Sequence, residues 1–140
     1  MMAGHVSVPF FATLTGNQIA EVLKLGDVDL LIAGKIEVWE DMGKGVPADM
    51  PMIHFPHYEG NSDIMRGKAW RDILAEFEPI QDSPLPDPDG LWTIIFTSGT
   101  TGTPKGVMLT NKTLIELMDK LWDSNPLKHD YKGANRFFSF

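Results

Sequence analysis

The chain has 140 residues, no cysteine and a formal charge of −7 at neutral pH. That length supports one domain-sized core. Disulfides and thiolate metal sites are excluded, and the acidic balance argues against a general nucleic-acid coat. Apolar residues make up 43% and charged residues 22%, the balance of a soluble globular chain. No apolar run approaches the roughly 20 residues that span a bilayer. Met1–His5 lacks a basic region followed by an apolar stretch, so no signal peptide is expected.

In chain order, Val6, Val8, Phe10 and Phe11 make a first strand candidate, interrupted by Pro9. Thr15-Gly16-Asn17-Gln18 fits a capping box, with Thr15 as the N-cap and Gln18 reaching back. The helix that follows turns Ile19, Val22, Leu23 and Leu25 inward and stops at Gly26. Asp29 to Ala33 reads as a buried strand. Strand, capped helix and strand in about 30 residues predict a βαβ unit with parallel pairing. Ile36 to Met42 reads as a short helix packed through Val38 and Trp39, Gly43 to Pro51 as a loop, and Met52 to Phe55 as a third strand.

His54 and His57 stand in an H-x-x-H arrangement. Pro56 between them excludes a helix interior, and no further ligand of the kind zinc requires lies beside them. Loop or core histidines are the expectation. Glu59 to Lys68 is polar and expected to be irregular. Ala69 to Phe77 carries Trp70, Ile73, Leu74 and Phe77 at helical spacing, which predicts an amphipathic helix with a core face. Pro79, Pro84, Pro86 and Pro88, interleaved with Asp82, Asp87 and Asp89, make a connector that ends at Gly90. Its aspartates read as a solvated charge run.

Thr93 to Phe96 is a short β-rich apolar run, expected to be a buried strand. Thr97 to Gly106 then holds three Gly, four Thr, one Ser, one Pro and a single Lys. Such a segment builds no core. Its glycines let the backbone approach a ligand, its hydroxyls donate and accept, and successive N–H groups can converge on an anion. With Lys105 as the fixed cation, this is the composition a polyphosphate site needs. A solvated Gly/Thr turn is the plain alternative. The string satisfies neither G-x-x-x-x-G-K-[ST] nor G-x-G-x-x-G. Val107 to Leu109 is expected to form a strand hairpinned onto Thr93–Phe96. Thr110 or Asn111 caps a helix with Leu114, Ile115, Leu117, Met118, Leu121 and Trp122 at helical spacing. Asn125-Pro126 ends that helix, and Arg136 to Phe140 begins another strand. The alternation predicts an α/β layered fold with a mostly parallel sheet, flanking helices and a local β-hairpin.

The string Thr97-Ser98-Gly99-Thr100-Thr101-Gly102-Thr103-Pro104-Lys105-Gly106, preceded by Phe96, resembles the phosphate-loop motif [YF]TSGTTGxPKG of the adenylate-forming (AMP-binding) superfamily at every position. Ala3 to Pro9, Thr13 to Thr15 and Gln18-Ile19 resemble the long-chain fatty-acyl-CoA ligase branch. The resemblance is dense at residues 3–34 and 91–111. Asn111 departs from it, because the family more often has His there.

The resemblance implies a two-step reaction. A carboxylate attacks the α-phosphate of ATP, giving an acyl-adenylate and pyrophosphate, and CoA then takes the acyl group. It implies nucleotide binding by Thr97, Ser98, Gly99, Thr100, Thr101, Gly102, Thr103 and Lys105, with Thr97 helping to hold Mg²⁺ and Lys105 acting as a charge. No catalytic proton-transfer residue is expected within the chain, because the family's remaining pockets and its catalytic Lys lie downstream of the matched region. The expectation is a partial N-terminal domain: residues 1–90 as βα units and connector, 91–111 as strand, phosphate loop and strand, 112–140 as helix and the start of a strand. It is expected to be a fragment of a longer ligase, inactive alone, with sheet edges that invite oligomers. Fatty acid, ATP and CoA are the implied partners of the intact enzyme, which is expected in the cytoplasm or peripherally on a membrane. The alternatives are an acyl-AMP ligase, an aryl-CoA ligase, an adenylation domain, or a non-catalytic nucleotide-binding module.

Overall fold

The computed structural model describes residues 4–60, 62–81, 84–97 and 103–124. Helix α1 (Gly16–Leu25) opens with the expected capping box. The Gln18 amide donates to the Thr15 hydroxyl at 3.4 Å, and the Thr15 amide donates to the Gln18 side chain at 2.9 Å. Ile19, Val22 and Leu23 are buried at the spacing of one helix face, whereas Leu25 is exposed. The helix stops at Gly26 as expected, but Gly26 is not its left-handed residue. Gly26 keeps a right-handed conformation, and Asp27 takes the left-handed one at φ 48°. Val28 N–H then donates to Leu23 O, and Asp27 N–H to Lys24 O. This is the Schellman pattern, with Asp rather than Gly in the left-handed position. Asp tolerates that region better than most side chains.

Strands β1 (Leu31–Ala33), β2 (Met52–His54) and β3 (Lys68–Ala69) form a parallel sheet in that order. Leu31 faces Met52, Ile32 faces Ile53 and Ala33 faces His54. Parallel neighbours need a crossover. Between β1 and β2 it contains helix α2 (Trp39–Met42) and a 3₁₀ turn, Gly43–Gly45. The core lies where α1 and this crossover meet the sheet: Ile19, Leu23, Leu31, Ala33, Ile36, Met42, Val46, Met52 and Ile64. Gly45 allows the contact, since a Cβ there would fall inside the Gly16 carbonyl at the start of α1. Trp39 packs on the core, but Val38 points to solvent.

The polar stretch before β3 is better ordered than its composition suggests. Ile64 is buried within it. The Ser62 hydroxyl donates to Glu37 O and accepts from the Trp39 amide. The Arg66 guanidinium donates to Val46 O and Pro47 O. These bonds staple the stretch to the β1–β2 crossover and carry the chain into β3.

Helix α3 (Trp70–Glu76) forms as expected but buries no residue, and Leu74 and Phe77 are exposed. Its expected core face is therefore corrected. Trp70 leans on Phe55 instead, with ring centroids 5.2 Å apart.

The first strand candidate is also corrected. It shrinks to a single parallel bridge between Ser7 and Thr93. Its neighbour is thus the strand of Thr93 and not β1, so the expected βαβ unit is not formed among the described residues. Pro9 contributes no N–H to extend the pairing. Ser7 N–H donates to Trp92 O, and Ser7 O accepts from both the Ile94 amide and the Thr93 hydroxyl. The hydroxyl bond satisfies Thr93, a buried polar side chain.

Candidate phosphate-binding hairpin

Strands β4 (Leu91–Thr97) and β5 (Lys105–Thr110) pair antiparallel, as the sequence predicts. Burial does not follow the prediction: of β4 only Thr93 is buried, and Ile95 and the greater part of β5 are exposed. The ladder runs further toward the loop than expected. Phe96 faces Gly106, and Thr97 faces Lys105. A Cβ on Gly106 would lie 2.9 Å from the Ile94 Cγ2, so glycine lets the two strands close here.

Thr97 and Lys105 are consequently strand residues at the neck of the loop. Ser98, Gly99, Thr100, Thr101 and Gly102 lie outside the described residues. Thr103 is described and exposed. The Thr97 hydroxyl donates to Lys105 O at 3.4 Å, a long bond that leaves the oxygen lone pairs free. That geometry fits a hydroxyl ligand of a hard cation. Lys105 is exposed on the facing strand, and the ion pairs among the described residues, Lys44–Asp41 and Lys68–Glu76, lie elsewhere. Among those residues its ammonium has no carboxylate partner. Among them, too, no three His, Cys, Asp or Glu side chains gather as a metal cage. His54 of the H-x-x-H pair is engaged through Nδ1 with Arg66 O at 3.1 Å.

A cleft of about 1070 Å³ opens between residues 4–12, β1 and the base of β4. Val8, Phe10, Leu30 and Ile94 give it an apolar lining. No Lys or Arg lines it, and neither Thr97 nor Lys105 is among its lining residues.

At the hairpin base the expected cap forms at Thr110, but the part played by Asn111 was missed by the sequence reading. Helix α4 (Asn111–Ser124) is capped by Thr110, whose hydroxyl accepts from the Thr113 amide. Asn111 is the first helical residue and is buried. Its side chain donates to Asp87 O and Gly90 O, at 2.9 and 3.1 Å. Asp87 and Asp89 are exposed, as a solvated run expects, and the Asp87 carboxylate accepts from the Asp89 amide. A short Asp-Pro-Asp-Gly string followed by Asn at the far end of a hairpin was the available signal. The expected apolar face of α4 is largely uncovered, with Ile115, Leu117 and Met118 exposed. The expected end of α4 at Asn125-Pro126 and the strand from Arg136 lie outside the described residues.

The profile of the family described as AMP-binding enzyme matches residues 1–140. Fatty acyl-CoA synthetase B of Dictyostelium discoideum is 61% identical over 122 residues, covering 79% of this chain and 18% of that protein. A probable acyl-activating enzyme 16, chloroplastic, of Arabidopsis thaliana is 41% identical over 104 residues, covering 62% of this chain and 14% of that protein. The chain therefore spans less than a fifth of the length of these relatives. Among solved structures, the anthranilate CoA ligase AuaEII in complex with anthranoyl-AMP superposes with a TM-score of 0.68 at 17% identity, over 91% of this chain and 24% of that one. The fold is thus that of an adenylate-forming enzyme domain, and with the whole chain matched by the family profile, the protein belongs to the AMP-binding enzyme family.

Proposed function

We propose that this chain is the phosphate-binding part of an AMP-forming fatty-acyl-CoA ligase, acting within a longer protein. The observation that carries the reading is the neck of the hairpin, where Thr97 and Lys105 face each other at the two ends of a Gly/Thr/Ser loop. The 61% identity to a fatty acyl-CoA synthetase supports the acyl substrate class.

When a carboxylate attacks the α-phosphorus of ATP, the bond to the bridging oxygen breaks and negative charge collects on the departing pyrophosphate. Donors preorganised around that charge lower the barrier. In this reading Lys105 supplies positive charge to the β- and γ-phosphates, and Ser98 to Thr103 supply hydroxyl and amide donors. Mg²⁺, when bound, supplies further neutralisation and draws mainly on phosphate and water oxygens. Thr97 would be the chain's own ligand for it. CoA acts in the second step, on groups outside this chain. The 140 residues alone are expected to bind ATP weakly and to release no pyrophosphate. Hydrogen bonds to charged groups contribute only about 1.5–3 kcal/mol each, and ordering the loop offsets part of that.

The test is ATP–pyrophosphate exchange by the full-length protein with fatty acids of graded length and with aryl acids. Exchange that depends on fatty acid supports the reading. Exchange with aryl acids only, or none with any carboxylate, contradicts it.

A further inference from the structure

We propose that Asn111 is a positioning residue for the phosphate-binding hairpin, fixing the register of β4 against β5 from the base. The inference rests on the ligase reading above and deepens it.

The turn before β4 closes on itself through Gly90 N–H to Asp87 O at 3.0 Å. Four hydrogen bonds then tie that turn to the residues after β5. The Asn111 side chain donates to Asp87 O and Gly90 O. The Asn111 amide donates to Gly90 O at 3.0 Å, and the Lys112 amide to Pro88 O at 2.8 Å. The clamp thus joins the residue preceding β4 to the one following β5. It sits beside the one irregularity in the ladder: Leu91 faces Thr110, but Thr93 faces Leu109, a shift of one residue.

A bulge is where a hairpin can slip. A slip of one residue turns every side chain to the other face. At the far end it would part Thr97 from Lys105. β5 is largely exposed and β4 buries only Thr93, so apolar burial holds the register weakly. The buried clamp supplies what burial does not. An amide suits the place because one nitrogen offers two N–H groups, and two carbonyls face it. Aspartate has the same shape but would set a carboxylate oxygen against two carbonyl oxygens.

The test compares full-length wild type with Asn111→Asp and Asn111→His, the latter able to keep one donor. Pyrophosphate exchange gives KM for ATP and for fatty acid, and calorimetry gives the affinity for ATP with Mg²⁺. Asn111→Asp is expected to raise KM for ATP about tenfold, equivalent to about 1.4 kcal/mol, with KM for fatty acid unchanged. Asn111→His is expected to show a smaller rise. An unchanged KM for ATP in folded Asn111→Asp overturns the proposal, and so does a lower apparent kcat with both KM values unchanged, which destabilisation alone produces. If Asn111→Asp does not fold, Asn111→His decides by the same criterion. If the wild type shows no fatty-acid-dependent exchange but binds ATP, the ligase reading fails, and the calorimetric comparison still decides on Asn111. A wild type that binds no ATP sinks both.

Discussion

The parallel-sheet region and the β4–β5 hairpin are built on opposite terms. In the first, α1 and the β1–β2 crossover bury a continuous apolar cluster from Ile19 to Ile64. In the second, β4 buries only Thr93 and β5 is largely exposed, and the polar clamp of Asn111 and the Ser7 bridge hold them in place. Packing fixes the scaffold. Hydrogen bonds fix the hairpin that carries the proposed phosphate loop. A loop proposed to bind phosphates gains little from apolar neighbours, and the burial lies elsewhere.

The largest effect on stability should come from the first region. Ile19 is 1% exposed in the centre of the cluster. Ile19→Ala should lower the free energy of unfolding by about 2–5 kcal/mol, read from denaturant midpoints. A loss below that range would mean that the cluster is not the scaffold's main support.

Lys105→Ala should behave in the opposite way. In the full-length protein it should reduce pyrophosphate exchange by about 10²–10³-fold, the scale for removing one preorganised charge-stabilising donor. The unfolding midpoint should stay within about 0.5 kcal/mol, as for an exposed site. Full activity would return Thr97–Gly106 to a plain Gly/Thr turn. Equal losses of activity and stability would erase the contrast between the regions.

The smallest effect is at Thr15, the N-cap of α1. Thr15→Ala should cost about 1 kcal/mol, and Thr15→Ser should restore most of it. An unaltered midpoint in Thr15→Ala would show that packing alone sets the start of α1.

The two regions also differ in what the sequence discloses. The capping box of α1, the Ile19–Leu23 face and the parallel strands at Leu31 and Met52 were legible, because local pattern and tertiary burial agree there. The hairpin was legible as pairing, since short β-rich runs flank a Gly/Thr loop. Its exposure was not. Apolar periodicity says that a face can be buried, not that something within the chain covers it, and α3 and α4 fail in the same way at Leu74 and Ile115. Ser62, Arg66 and Asn111 were missed for a further reason. Their partners are backbone carbonyls about 20 residues or more away, and no residue-type pattern announces a carbonyl. Within the candidate site, the ten-residue string carries the family resemblance, but it did not show that Thr97 and Lys105 close the ladder.

The most direct measurement is hydrogen–deuterium exchange on the full-length protein, with and without saturating ATP and Mg²⁺. The account predicts slower exchange in peptides covering residues 97–106 when nucleotide is added, and unchanged exchange across the Ile19–Ile64 cluster. Unchanged exchange in 97–106 at saturating nucleotide would contradict the assignment of the hairpin loop to phosphate binding.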